Sequence, residues 1–379
     1  MGSFNEFFGS GATGPIGSSL PTIDNVTYPT SYVEYMVTEN RKVALPSHAV
    51  NVAAGALPGN GWSADSVLLA DGRVFIVPSN STTARIYDPV TNTVITPGGS
   101  YPFNLGAAIF NQFSSGILLQ DGRVYLIPSN SPTARIYDPV TDSVSTPTGT
   151  FGASAKFSCG ALLSDGRVYL VPSNGGPATI YDPATNSVST PTGTFATGTP
   201  FSDAIVLRDG RVFLVPVTST TARIYDPVLD TLTTPTGTYP GGSAFLRGVL
   251  MSDGRVFIMP FVSTTARIYD PVLDTLTTPT GTYAGGGAFY SVSLLPDGRV
   301  FIMPSSSTTA RIYDPFTDIL STPPGSYPGL VGGAAPFSNL SLLDDGRVYM
   351  AGNGSTTGRI TIANYQVEPR KYATSRWEN

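Results

Sequence analysis

The tetrapeptide Asp-Gly-Arg-Val occurs seven times, beginning at Asp71, Asp121, Asp165, Asp209, Asp253, Asp297 and Asp345. Successive copies lie 50, 44, 44, 44, 44 and 48 residues apart. A second motif, Ile-Tyr-Asp-Pro, begins at Ile86, Ile136, Ile180, Ile224, Ile268 and Ile312, and the residue before its Ile is always 14 positions after the Asp of Asp-Gly. The seventh copy keeps that spacing and degenerates to Arg359-Ile360-Thr361-Ile362. A period of this length outranks local readings, because each repeat is one small unit that buries its apolar faces only by stacking on its neighbours. A chain of 379 residues would otherwise suggest two or three domains. The repeat instead predicts one closed array with two non-repeat ends.

The copy from Phe245 to Tyr283 shows the unit. Gly248-Val249-Leu250-Met251 is a short apolar run, and Asp253-Gly254 suits the left-handed angles of a tight hairpin turn. Val256-Phe257-Ile258-Met259 is the return strand, ended by Pro260, which has no N–H for a ladder. Ala266-Arg267-Ile268-Tyr269 is a third strand, Asp270-Pro271 a turn, and Thr275-Leu276-Thr277-Thr278 a short outer strand. No segment carries helical periodicity. Four short antiparallel strands per copy, seven times over, predict an all-β chain: a seven-bladed β-propeller of four-stranded antiparallel blades. The expected organisation is an extended N-terminal arm over residues 1–40, the propeller over 41–367 and a tail over 368–379. The seventh copy lacks an outer strand of its own. Lys42-Val43-Ala44-Leu45-Pro46 resembles the missing Thr-Leu-Thr-Thr-Pro and is expected to close the ring as that strand, with Ile362–Val367 the competing candidate.

The run from Asp-Gly-Arg-Val-Phe to Ile-Tyr-Asp-Pro resembles a kelch-type repeat of the galactose-oxidase-like propeller class, over about four fifths of the chain. The likeness is carried by Asp121–Tyr125, Asp165–Tyr169, Tyr87–Asn92 and Tyr137–Asp142. The kelch Gly-Gly after the second strand is here Pro plus a polar residue, as at Pro78-Ser79, and the outer-strand Trp is a smaller residue such as Val94 or Leu232. Degenerate, near-identical arrays of this kind are also similar to propellers of bacteriophage virion proteins.

Composition narrows the chemistry. A formal charge of −5 without a basic stripe argues against nucleic acid as a partner. Cys159 is the only cysteine, so there is no disulfide framework and no Cys-based zinc site. No apolar run reaches membrane-spanning length, and residues 1–20 lack the basic start and apolar core of a signal peptide, so a soluble chain without membrane insertion is expected. The resemblance would imply, for a copper oxidase of that class, a site of two His and two Tyr, whereas His48 is the only histidine here. No acidic calcium loop or Gly-rich phosphate loop occurs. No catalytic, cofactor or metal residue is therefore assigned, and no cofactor is expected. The repeated Asp and Arg read as scaffold, since both stand at turns that scarcely vary among the copies.

Variation among the copies points elsewhere. In an antiparallel meander, the first-to-second and third-to-fourth turns share one face. The second-to-third loops and the blade connections, where the copies differ, share the other, and loops on a rigid scaffold are where binding usually sits. Eight residues before the Asp of Asp-Gly stands Phe113, Phe157, Phe201, Phe245, Phe289 or Phe337, read as a core layer; copy one has Ser63 there, beside Trp62. Two positions later the copies diverge: Asp65, Ser115, Cys159, Asp203, Arg247, Ser291 and Asn339. The scaffold does not dictate this position. Asp65, Ser115, Asp203, Arg247, Ser291 and Asn339 are accordingly expected to form a polar ring at the inner end of the variable face, a candidate binding face.

The N-terminal arm is Gly/Ser-rich between Phe4, Phe7, Phe8 and Tyr28, Tyr32, Tyr35, which suits docking on partner proteins. The sequence thus predicts a propeller without catalytic activity. Its expected role is a structural and interaction module of a larger assembly, a tail- or capsid-associated phage virion protein anchored by its arm. A glycan-binding or receptor-binding propeller is the alternative, and a hydrolase or oxidoreductase on this fold the third reading.

Overall fold

The computed structural model describes residues 22–23, 26–27, 50–56, 63–101, 112–149, 157–196, 198, 200–328, 335–352 and 357–361. Among them there is no helix, and seven sheets of four antiparallel strands form a seven-bladed β-propeller. The chain divides into two units. Leu45–Val367 holds the blades; Met1–Ala44 with Glu368–Asn379 contains a hairpin of Thr22–Ile23 and Val26–Thr27.

The first blade runs Ser63–Leu68, Val74–Pro78, Arg85–Asp88 and Thr93–Ile95, paired in chain order. Its second strand, Val-Phe-Ile-Val-Pro, is buried at every position, and so is the second strand of each other blade. A continuous apolar run is what a strand covered on both faces requires. First strands lie side by side around the axis, and that of the seventh blade (Phe337–Leu342) packs on that of the first, which closes the ring.

Both repeated motifs resolve into turns. Gly72 N–H donates to the Leu69 carbonyl (3.0 Å) and Leu69 N–H to that of Arg73 (2.8 Å), with Gly72 at φ 83°. This is a three-residue loop with Gly as its single left-handed residue, where the dipeptide suggested a tighter turn. The Asp71 carboxylate accepts from the Arg73 N–H at 3.0 Å and pairs with its guanidinium at 2.6 Å. All seven copies repeat this ion pair. The repeated Asp and Arg are spent on each other; all but the more buried Asp297–Arg299 pair are partly exposed, and such pairs define a turn and add at most about 1 kcal/mol. In the outer turn, Asp88 accepts from the N–H groups of Val90 (2.8 Å) and Thr91 (3.2 Å), and Asn92 at φ 55° accepts from the Tyr87 hydroxyl at 3.0 Å.

The core lies between blades. A second-strand aromatic of one blade stacks on the third-strand Tyr of the next: Phe75 on Tyr137, Tyr125 on Tyr181, Tyr169 on Tyr225, Phe213 on Tyr269, Phe257 on Tyr313. Tyr349 on Tyr87, at 4.3 Å, carries the ladder from blade seven to blade one. The periodic Phe113, Phe157, Phe201, Phe245, Phe289 and Phe337 are all buried, as a core layer should be.

The outer strand of the seventh blade differs from the expectation. Val50–Ala56 occupies it, pairing with Thr357–Thr361 in the register Val50 to Thr361, Asn51 to Ile360 and Val52 to Arg359. Lys42–Pro46 and Ile362–Val367 lie outside the described residues. The strand does come from before the first copy. It does not carry the Thr-Leu-Thr-Thr-Pro signature, because no Asp-Pro hairpin turn joins it to its sheet neighbour Thr357–Thr361, as one joins the third and fourth strands of the other blades.

Candidate functional site

Each first strand carries a register shift against its neighbour directly after the core anchor: between Phe113 and Ser115, Phe201 and Asp203, Phe245 and Arg247, and at the same place in the other blades. A bulge bends its strand and re-aims the residue that follows. The positions so aimed are those at which the copies diverge. Asp65, Ser115, Asp203, Arg247, Ser291 and Asn339 come together around one cavity of about 210 Å³ on the propeller axis. They come from six blades. The third blade's residue, Cys159, is buried outside the lining, and burial pushes its thiol up to about 12, so it stays protonated and acts as a small core residue.

Bonds across blade boundaries hold the lining. The Asp65 carboxylate accepts from the Ser115 hydroxyl and the Gly116 N–H (3.1 Å) of the next blade, and from the Ser66 N–H (2.8 Å) of its own strand. Asp203 repeats the arrangement, accepting from Ala204 N–H and from Gly248 N–H of the next blade, each at 3.0 Å. Arg247 reaches back to donate to the Ser202 carbonyl at 3.0 Å, and Ser291 donates to Asn339.

Charge is unevenly satisfied. Burial pushes the Asp65 carboxyl up against the opposing pull of Arg247 and its hydrogen-bond donors. Burial works to lower Arg247, but the Asp203 and Asp65 carboxylates outweigh it and hold the guanidinium charged. Among the described residues Arg247 makes no ion pair; the ion pairs there are all between Asp and Arg of one Asp-Gly-Arg turn. A carboxyl with a raised pKa and a guanidinium on one cavity can hold a proton, neutralise an anion or fix a hydroxyl.

Four further lining residues, Gly248, Val292, Ser293 and Leu340, were not singled out from sequence. Gly248 left a trace, since Gly also follows the ring position at Gly116 and Gly160. A Cβ on Gly248 would stand 2.5 Å from Ile205 Cδ1 of the preceding blade. The candidate anchoring residues Phe4, Phe7, Phe8, Tyr28, Tyr32 and Tyr35 lie outside the described residues, as do His48 and Trp62. Among the described residues no group of three or more His, Cys, Asp or Glu is placed to hold a metal ion, and no helix is long and apolar enough to cross a membrane.

No family model and no curated protein matches the chain. The kelch-type and phage resemblances therefore rest on the quoted motifs alone. Solved structures match its shape. Virginiamycin B lyase from Staphylococcus aureus, in a catalytically inactive His-to-Ala form with quinupristin, aligns at TM-score 0.67 and 10% identity over 83% of this chain and 99% of that one. A streptogramin B lyase aligns at 0.65 and 9% identity over 84% and 99%. The WD40 propeller domain of Doa1 aligns at 0.60 and 15% identity over 84% and 98%. These likenesses show the fold. They also correct one expectation. The absence of catalytic activity was argued from the missing His and Tyr set of the copper oxidases, yet propellers of this shape include lyases, so that absence does not make the chain inactive. At such identity no reaction passes to this chain.

Proposed function

We propose that this propeller binds a hydroxyl-rich ligand, a glycan, in its axial cavity. The observation that carries the reading is the convergence of six polar side chains, from six blades, at a position where nearly identical repeats differ. Their bonding capacity is only partly used. Asp203 accepts two backbone N–H bonds and keeps lone pairs for more. Arg247 spends one of its five donors on Ser202, and the Asn339 amide nitrogen keeps its two. Open acceptors beside open donors suit a group that is both at once, which a sugar hydroxyl is. A glycan array with the purified protein, followed by calorimetry on the best hits, tests this. Arg247→Ala is expected to weaken binding at least tenfold, about 1.4 kcal/mol. An array without signal, or unchanged affinity in that variant, would sink the reading.

A second reading places the chain as an interaction module of a larger assembly, a phage particle in which residues 1–40 anchor it. Exposed apolar side chains at the outer turns of blades one, two, four and five favour it: Val90, Val140, Val228 and Val272 are 91, 90, 88 and 89% exposed. Apolar groups recurring around one face suit contact with another protein. Mass spectrometry of purified particles decides: a chain absent from every particle and monomeric in solution excludes the assembly role.

A further inference from the structure

The repeat breaks at two more places, and the two breaks meet. Directly before the ring position, four blades carry Ser (Ser114, Ser158, Ser202, Ser338), but blade six carries Tyr290. Directly after the Pro that ends the second strand, four blades carry Ser (Ser79, Ser129, Ser173, Ser305), but blade five carries Phe261. These two rings, 29 residues apart in sequence, pack edge to face with centroids 6.4 Å apart at 76°. Both are half-buried, and Val262 beside Phe261 is 48% exposed. Tyr290 immediately precedes Ser291, a lining residue, and its phenol lies near the Arg247 guanidinium.

The fold does not need these aromatics, because it is satisfied with Ser at the same positions in most other blades. A sugar ring presents hydroxyls around its edge and an apolar C–H face, and aromatic side chains give such a face a large, rigid contact at low entropic cost. We propose that Tyr290 and Phe261 form a stacking subsite for the apolar face of a second sugar unit, adjoining the axial cavity on the side of blades five and six. This rests on the glycan reading of the cavity. It implies a ligand longer than a monosaccharide, held at one end by polar groups on the axis and running outward over a single sector of the ring.

The test uses calorimetry with the methyl glycosides of glucose, galactose, mannose and N-acetylglucosamine and with the disaccharides built from each. The intact chain is expected to bind a disaccharide at least tenfold more tightly than its methyl glycoside. The double variant Phe261→Ser, Tyr290→Ser inserts the repeat's own residues, so it should keep the thermal stability of the parent to within a few degrees. It is expected to lose the disaccharide advantage while binding the methyl glycoside within about twofold of the parent. Arg247→Ala should weaken both ligands alike. A disaccharide advantage that survives in the double variant, or that the intact chain never shows, overturns the subsite and leaves the axial cavity standing. If no sugar binds the intact chain, the cavity reading fails and the subsite with it.

Discussion

One left-handed residue per outer turn does two jobs. Asn92, Asp142, Asn186, Asp230, Asp274 and Asp318 all have φ between 49° and 55°. Asn and Asp enter that region more readily than other side chains with a Cβ. Each accepts the hydroxyl of the Tyr five residues earlier, as Asp230 does from Tyr225 at 3.0 Å. From the second blade onward each also reaches the preceding blade: Asp142 to the Gly98 N–H at 2.8 Å, Asn186 to the Thr148 N–H at 2.9 Å, Asp230 to the Thr192 N–H and hydroxyl at 3.0 and 2.7 Å. The side chain is thus a clip between blades, which explains why the repeat reads Asn or Asp at this place and nothing else. Asp230→Ala removes the acceptor and leaves an alanine in a left-handed conformation. It should cost about 2–3 kcal/mol, from lost bonds and backbone strain together. Asp230→Asn, which writes in the residue of blades one and three, should cost less than about 1 kcal/mol. Urea denaturation of the two variants measures this. Equal losses would mean that the clip contributes nothing beyond its charge.

At the scale of strands, the decisive contact is the junction of blades seven and one. Val50–Ala56 adds the fourth strand to a sheet whose other three come from the far end of the repeat. The same junction is stitched on its inner side by hydroxyl pairs, Ser63 with Ser338, and Ser66 with Ser341 at 2.8 Å. The register makes a direct prediction. Val52 lies opposite Arg359, and opposed residues of an antiparallel pair are close enough for a disulfide. Val52→Cys with Arg359→Cys should cross-link on air oxidation and raise the midpoint of thermal unfolding, the loop-entropy limit for a closure of about 300 residues being about 6 kcal/mol. Failure to cross-link, seen as two free engineered thiols in the oxidised protein, would show that another segment closes the ring. This strand was the part of the fold least legible in the sequence. The blades announced themselves through Asp-Gly turns and Pro-ended apolar runs, each dictated by backbone geometry. Val-Asn-Val-Ala-Ala-Gly-Ala has no turn chemistry of its own and is defined only by the edge it completes. The site shows the same division. Asp65, Ser115, Asp203, Arg247, Ser291 and Asn339 could be read off because the repeat supplies seven aligned copies, and departure from the common residue marks a position that packing does not decide. Phe261 and Tyr290 broke the pattern just as visibly. What linked them was hidden, since their contact depends on neighbouring blades and on no spacing within one copy.

For the molecule as a whole, the carboxylates displaced from their ordinary value fall into two groups that respond to acid in opposite directions. On the constant face, Arg123 and its N–H hold Asp121 below the ordinary carboxylate value, and at Asp71, Asp165 and Asp209 the matching Arg overcomes the opposing effect of burial. Among the clips, the Thr192 hydroxyl lowers Asp230 and the Thr236 hydroxyl lowers Asp274. A carboxylate whose folded pKa is depressed stabilises the fold above its unfolded value, and that stability is lost as pH falls through the folded value. On the axis, Asp65 is raised by burial, despite Arg247, the Ser115 hydroxyl and the N–H groups of Gly116 and Ser66. Its ionised form costs stability in the folded ring, so protonation relieves that cost as pH drops through its raised value. The melting temperature should therefore rise from neutral pH to an optimum in mild acid and then fall steeply below about pH 4, where the depressed carboxylates take up protons. Asp65→Ser places on the axis the residue that blades two and six already carry there. In that variant the mild-acid rise should vanish while the steep fall below it remains. Calorimetric scans of the two proteins across this range separate the contributions. A rise that persists in Asp65→Ser would move the raised group off the axis, and a missing fall would remove the Asp-Arg turns and the clips as sources of stability.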